Sequence, residues 1–581
     1  MSARNTFSRE LIAERTWPFF LDLSVAAALL AGFYAILWIA KFWFSSAIPE
    51  VAIQRSPSHL PLYAFYSTAR IFIAYILSLA FAIGYGYIAA YNKRVEGLMI
   101  ATLDILQSIP VLSFLPGVML AMMSLFPSRQ IGIELGAILL IFTGEVWNMA
   151  FSFYSSLKSI PRELREACTI NRFSPLQRLF QLELPFATIG LVWNSMVSVA
   201  SGWFFLIVCE MFPVGARNFR LPGLGSYLQT AASNGDTQAL VYGLITMVLI
   251  IVLTDQLLWR PLIAWSDKFK FENVESADRI QSPILHMLRH SNVLGLLQRH
   301  TVTPLSESMY RYIAKRHEGT TGREENLRKS SKFTTALMTA AGLAALAAVL
   351  IAAFHAILLL RQVHEHELLS LFVGAGATFL RVAVSLLLAS AWTIPVGVAI
   401  GLNPRLAHIT QPLAQIAASF PATALFPVIL LGLMRLGLGL GIGSIALMML
   451  GTQWYILFNV IAGAMAIPTD LQEVSSLFRF SRLQRWTTVI LPGIFPFLIT
   501  GLVTASGGAW NASIVAEYFQ LKDKTMMTQG LGAQISAASN RGDFPTLLLA
   551  TMIMATLVVT INRLVWRPLY HLAETKYRLE G

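Results

Sequence analysis

Apolar residues gather in long runs with few charges, such as Leu337 to Leu360 and Leu547 to Val565. Each is close to the roughly 20 residues a helix needs to cross a hydrocarbon core, and about twelve such runs follow one another along the chain. In lipid a backbone amide finds no water, so only helices and closed barrels satisfy every one. The pattern predicts an all-α polytopic membrane protein. The run from Pro18 to Phe44 is too long for the apolar core of an export signal and has no small-residue cleavage site, so it is expected to stay as a first span.

The pattern also repeats. Gly144, Trp147, Phe151, Pro161 and Glu166 return as Gly451, Trp454, Phe458, Pro468 and Glu473, always 307 residues later. The same offset carries Arg172-Phe173-Ser174 onto Arg479-Phe480-Ser481, Leu184-Pro185 onto Leu491-Pro492, Trp203 onto Trp510, and Trp259-Arg260-Pro261-Leu262 onto Trp566-Arg567-Pro568-Leu569. Upstream the offset is 311, taking Arg70 to Arg381, Gly86 to Gly397 and Pro110 to Pro421, so the second half is four residues shorter between its third and fourth spans. A repeat of this length dictates the architecture. About six spans per half return the chain to its starting side, which makes the halves parallel about a pseudo-two-fold axis along the membrane normal. The boundaries read as a first half over 1–264, a cytoplasmic linker over 265–332 and a second half over 333–581.

Composition agrees, with 55% hydrophobic and 13% charged residues against about 25% charged in soluble chains. The formal net charge of +12 does not point to nucleic acid, because Lys and Arg collect beside the ends of apolar runs. Arg9, Arg15, Lys93, Arg94, Lys158, Arg162, Lys268 and Lys270 share one face of a six-span half, the face expected in the cytoplasm together with both termini. Arg217, Arg220 and Lys522 fall on the other face. Cys168 and Cys209 imply no disulfide framework. His364 and His366 have no metal-site spacing, and no metal is assigned. A phosphate-cradling loop needs a Gly-Lys pair, which the chain lacks, so it is not expected to be an enzyme that hydrolyses ATP.

Between the fourth and fifth spans each half carries a polar loop, over 160–185 and 467–492. Pro161 and Pro468 suit a first helical turn. Ser174 and Ser481 suit the N-cap of a second short helix, with Pro175 following Ser174. Each loop is expected to be helix, corner, helix, with Phe173 or Phe480 at the corner, where an exposed ring calls for a partner surface.

These loops resemble the EAA loop of ATP-binding cassette importer permeases. Glu166-Ala167 with Leu184-Pro185, and Glu473 with Leu491-Pro492, match it at the family spacing, whereas Arg172 and Arg479 stand where the family has Gly. With the paired endings around Trp259 and Trp566, the chain is similar to a duplicated permease of the nitrate, sulfonate, taurine and bicarbonate type. The resemblance implies the type I importer permease fold in a bacterial inner membrane, one fused chain replacing a permease dimer. It also implies partners: two ATPase subunits that bind ATP and Mg, and a substrate-binding protein. Glu166, Arg172, Phe173 and Ser174, with Glu473, Arg479, Phe480 and Ser481, become the expected ATPase-coupling residues.

For the translocation path the candidates are polar or aromatic residues inside spans: Arg70, Trp203, Phe204 and Glu210, with Arg381, Trp510, Asn511 and Glu517. Intramembrane charges commonly face a bundle interior, and facing arginines would attract an anion by bidentate hydrogen bonds. The residues alone leave open a structural reading, in which arginines snorkel or pair with the glutamates and the aromatic residues pack. The linker, with Ile284, Leu285, Leu288, Leu294 and Leu297, is expected to form short amphipathic helices and to tether the halves. A secondary transporter driven by an ion gradient, or a permease for a non-anionic solute, remain alternatives. Neither needs two matching corner loops more than the importer reading does.

Overall fold

The computed structural model describes residues 51–269 and 356–576 with few interruptions, and short stretches between them. The expected first span at Pro18–Phe44, most of the run Leu337–Leu360 and most of the linker 265–332 lie outside the described residues. The first half runs α1 (Pro57–Tyr91), α2 (Glu96–Ser108), α3 (Val111–Leu125), α4 (Ile131–Ser159), α5 (Arg162–Ile170) and α6 (Pro175–Cys209). A hairpin of β1 (Met211–Val214) and β2 (Arg217–Arg220), then α7 (Leu224–Ser233) and α8 (Thr237–Ser266), complete it. The second half repeats the order as α9 (Glu365–Gly401), α10 (Pro404–Ala418), α11 (Ala422–Arg435), α12 (Leu440–Met465), α13 (Thr469–Leu477) and α14 (Arg482–Ala516). Its hairpin is β3 (Tyr518–Leu521) with β4 (Lys524–Met527), followed by α15 (Leu531–Arg541) and α16 (Phe544–Ala573).

Among the described residues eight helices are long and apolar enough to cross a membrane: α1, α4, α6 and α8, with α9, α12, α14 and α16. The runs read as third spans are the shorter helices α3 and α11. The change of offset falls at the next helix, where α4 has 29 residues and α12 has 26. Apolar periodicity did not reveal the two antiparallel hairpins, which pair Phe212 with Phe219 and Phe519 with Met526. Every fourth residue of α8 from Val241 through Ile245, Leu249 and Leu253 to Leu257 is exposed and apolar, a lipid-facing stripe.

Four π-helical turns interrupt these spans, at Leu179–Glu183, Asp255–Trp259, Trp486–Ile490 and Asn562–Trp566. Each is followed at the second position by a proline: Pro185, Pro261, Pro492 or Pro568. A proline ring inside a helix strikes the carbonyl four residues back. A π turn, whose hydrogen bonds reach one residue further, widens the helix where that clash would fall. The Leu-Pro and Arg-Pro pairs that mark the repeat thus coincide with its π turns, whereas Pro395, Pro427 and Pro496 sit inside helices with no such turn directly before them.

Within each half α1 packs on α4 and α4 on α6, with α9, α12 and α14 arranged alike. Lipid gives no hydrophobic drive to such contacts, so close approach over small residues is required. Gly86 of α1 provides it: a Cβ there would lie 2.9 Å from the Phe153 ring and 3.2 Å from the Tyr154 nitrogen. Its counterpart Gly397 would meet Val460 at 2.8 Å. Gly86→Val is expected to force α1 and α4 apart and cost about 1–3 kcal/mol, read as a lower melting midpoint of the purified chain in lipid nanodiscs. The same substitution at Gly84, which has nothing within 4 Å, should be nearly silent.

Candidate coupling loops and translocation path

Helix α5 ends in a Schellman turn. Phe173 N–H donates to the Cys168 carbonyl at 2.9 Å and Arg172 N–H to the Thr169 carbonyl at 3.0 Å. In the second half Phe480 donates to Ser475 at 3.0 Å and Arg479 to Ser476 at 3.1 Å. This turn needs a left-handed residue, and Arg172 and Arg479 supply it with φ of 51° and 50°, the only non-glycine residues with positive φ among those described. A side chain in that region costs roughly 1–2 kcal/mol. The corner therefore keeps glycine's backbone while carrying a guanidinium. Beneath it Cys168 is buried, and desolvation pushes its thiol above the usual range.

Both expected N-caps form. Ser174 Oγ accepts from Gln177 N at 3.2 Å while Gln177 Oε1 accepts from Ser174 N at 2.8 Å. Ser481 and Gln484 repeat this capping box at 3.3 and 2.9 Å. The acidic and basic candidates Glu166, Arg172, Glu473 and Arg479 are exposed, Phe480 is exposed and Phe173 is half-buried. The most prominent apolar tips were not singled out from sequence: Ile170 and Leu477 are each 80% exposed, and Leu176, Phe478 and Leu483 are exposed beside them. Their helical spacing around the corner was the available signal.

The first loop is pinned to its own half. Buried Glu183 accepts from the Tyr91 hydroxyl at 2.5 Å and from Arg178 Nε at 2.7 Å, and Arg178 lies 4.3 Å from the Tyr91 ring centroid. The second half has Ile490 at the place of Glu183, which cannot accept these bonds.

At the opposite ends of the spans the four charged path candidates are brought together within each half. Arg70 is 1% exposed; its Nε and Nη2 grip Glu134 at 2.6 and 2.8 Å, and its Nη1 reaches Glu210 at 2.7 Å and the Pro222 carbonyl at 2.8 Å. Ser67 and the Gly225 amide complete the shell of Glu210. Arg381 repeats the pattern, with Glu517 at 2.9 Å, the Gln529 carbonyl at 2.7 Å and Thr528 at 3.0 Å. Thr378 and the Gly532 amide bond Glu517. Space for each carboxylate comes from a glycine, since a Cβ at Gly223 or Gly530 would lie 2.2 or 2.1 Å from it. Glu134 was missed because its repeat position is Gly441.

A cavity of about 140 Å³ lies between the halves, walled by repeat-related pairs such as Ile207 and Ile514, Val208 and Val515, Phe212 and Phe519, and Pro116 and Pro427. Gln229, Ser536, Ser539 and Asn540 give it polar edges, and Asn540 donates to the Tyr518 hydroxyl at 2.5 Å. None of Arg70, Trp203, Phe204, Glu210, Arg381, Trp510, Asn511 and Glu517 is on its wall. Each arginine is tied within its own half, Arg70 by Glu134 and Glu210 and Arg381 by Glu517. Trp203 and Trp510 are buried in the core, and Asn511 Nδ2 donates to the Gly507 carbonyl at 3.1 Å. Phe204 instead supplies the carbonyl approached by Thr423 of the other half at 3.5 Å.

The cavity joins the C-terminal ends of α6 and α14 and both hairpins. Each of these helices has 35 residues, about 50 Å at 1.5 Å per residue. The two corner loops, which precede their N-terminal ends, therefore lie together on the far face.

Residues 82–258 and 393–574 match the family described as binding-protein-dependent transport system inner membrane component. The chain is 29% identical over 197 residues to a nitrate import permease of Leptolyngbya laminosa, covering 34% of this chain and 66% of that one. It is 31% identical over 147 residues to a bicarbonate transport system permease of Synechococcus elongatus, covering 25% and 51%. A taurine transport system permease of Escherichia coli is 29% identical over 170 residues, covering 29% and 58%. The matched region thus spans between half and two-thirds of each relative.

Arg70 neutralises two buried carboxylates and Arg381 one. Arg70→Met is expected to cost about 3–5 kcal/mol by leaving buried charge without a partner. Arg381→Met should cost less, because Glu517 keeps Thr378 and two amides. Melting midpoints of the two variants in nanodiscs check the order.

Proposed function

The chain belongs to the family of inner membrane components of binding-protein-dependent transport systems, and on that premise we propose that it is a two-half permease of an ATP-driven importer for a small anion. Both permease positions are filled by one fused chain, and the path runs between its halves. The corner loops are the coupling elements, each seated on a separate ATP-binding cassette ATPase. A substrate-binding protein delivers cargo to the opposite face. The corner loops face the cytoplasm with the chain termini, in keeping with the basic residues Lys93, Arg94, Lys158 and Arg162 beside them.

The observation that carries this reading is the pair of corners held in one strained geometry, with apolar tips left uncovered on the same face. An importer needs a two-state membrane element biased by ligands that prefer one state. Two stiff levers, fixed by Schellman turns and capping boxes, suit the transfer of that bias. The anion assignment draws on the nitrate, bicarbonate and taurine relatives. The cavity wall has no charged side chain, so an anion would be held there by neutral donors, weakly enough to leave.

Ile170→Asp with Leu477→Asp is expected to weaken binding of the partner ATPase at least tenfold, about 1.4 kcal/mol, in a pull-down from detergent. Arg172→Gly with Arg479→Gly keeps the corner while removing the guanidinium. If the arginines contact the ATPase, complex formation falls with intact chain stability; if they only shape the corner, binding is unchanged. Uptake into proteoliposomes without nucleotide would overturn the importer reading.

A further inference from the structure

Glu145 of α4 is fully buried, and neither oxygen of its carboxyl has a hydrogen-bond partner. Among the described residues it takes part in no salt bridge. Helix α6 makes room for it with Gly202, where a Cβ would stand 2.2 Å from Glu145 Oε1. One turn earlier on the same helix Ser198 is fully buried with its hydroxyl unpartnered. From α1 comes Tyr75, packed against the core cluster that holds Met149 of α4, one turn from Glu145. Helix α3, also packed on α4, contains no titratable residue. Arg70 and Glu134 are tied to each other eleven residues away along α4, about 16 Å at 1.5 Å per residue.

The second half is an internal control. Tyr75, Glu145, Ser195 and Ser198 correspond to Leu386, Thr452, Leu502 and Ala505, and Gly202 corresponds to Ala509. The acid and the glycine that accommodates it occur together in one half and are absent together from the other. Helical spacing leads on from Glu145 through Asn148, Ser152, Ser155 and Ser159. These four and Asn194 of α6 line a groove of about 430 Å³ that runs toward the corner-loop end of α4. Its lower positions are Ala462 and Ala466 in the second half, with Gly501 in place of Asn194.

We propose that Glu145 is a proton-binding site confined to the first half, reached from the corner-loop face along this hydroxyl-lined groove and occupied in the conformation seen here. A bare carboxylate without a cation is far costlier in a buried site than a neutral acid, which forgoes only hydrogen bonds. A sodium ion would need a fuller shell of oxygen ligands than one carboxyl and one hydroxyl provide. The proton comes from water on the corner-loop side and returns there when α4 and α6 part enough to hydrate the acid. The site stands apart from the importer reading, resting on it only for naming that face cytoplasmic. It bears on that reading in one way: an anion in the groove would meet a hydrogen-bond donor in place of a repelling charge.

The test is infrared spectroscopy of the isolated chain in nanodiscs, which needs no ATPase and so fails or succeeds independently of coupling. The expected result at neutral pH is a carbonyl band of a protonated carboxylic acid that Glu145→Gln removes. Transfer to heavy water should shift the band, and Ser152→Val with Ser155→Val should slow that shift while leaving the band in place. Should the Gln variant fail to fold, Glu145→Thr with Gly202→Ala installs the second half's own pair. Identical spectra for wild type and variant overturn the proposal. So does a band that disappears when sodium replaces potassium, which would make this a metal-ion site.

Discussion

A guanidinium inside a membrane has to be matched at each N–H it presents, and meeting that demand organises the end of both halves that lies away from the corner loops. Arg70 and Arg381 lie in the first described span of each half, whereas their glutamates end α6 and α14 and their carbonyl partners precede α7 and α15. Three segments distant in sequence are fixed by one side chain. Ser67 and Thr378 extend the tie by accepting from the Leu224 and Leu531 amides. The placement of α7 and α15 that follows puts Leu228 and Ile535 on the cavity wall. The four charges thus hold the elements that wall the cavity between the halves.

This is also where reading the sequence reached its limit. Comparing the halves exposed Arg70, Arg381, Glu210 and Glu517 as repeated intramembrane charges, but a repeat shows which positions correspond and not which side chains meet. Ser67 and Thr378 differ in type, and Glu134 faces Gly441 at the point where the offset changes from 311 to 307, so the comparison was blind to both. Positions fixed by local chemistry were legible. Capping serines follow from backbone donors that must be met, and Pro185, Pro261, Pro492 and Pro568, which recur in the repeat, each follow a π turn. The left-handed Arg172 and Arg479 were visible only as residues out of place, since sequence does not reveal whether the backbone or the side chain gave way. The structure shows that the backbone kept its course and accepted the strain.

Duplication within one chain changes what evolution can do with such positions. In a homodimeric permease every substitution appears twice, on both sides of the axis. Here Glu134, Glu145 and Glu183 are present in the first half and replaced by Gly441, Thr452 and Ile490 in the second. Each glutamate has a first-half setting made for it: a second carboxylate for Arg70, a glycine opposite a buried acid, and a tyrosine-arginine clasp on the corner loop.

The consequence is mechanical. With Arg70 doubly clamped and the 160–185 loop tied to Tyr91, the first half resists deformation at both ends of its spans. Among the described residues the second half holds Arg381 with a single carboxylate, leaves its side chain 14% exposed, and has Leu477, Phe478, Phe480 and Leu483 uncovered on a loop that lacks the glutamate clasp. Among the described residues, more charged contacts therefore hold the first half than the second. The two corner loops of one chain are thus held unequally, and the more firmly tied one belongs to the half that encloses the buried acid.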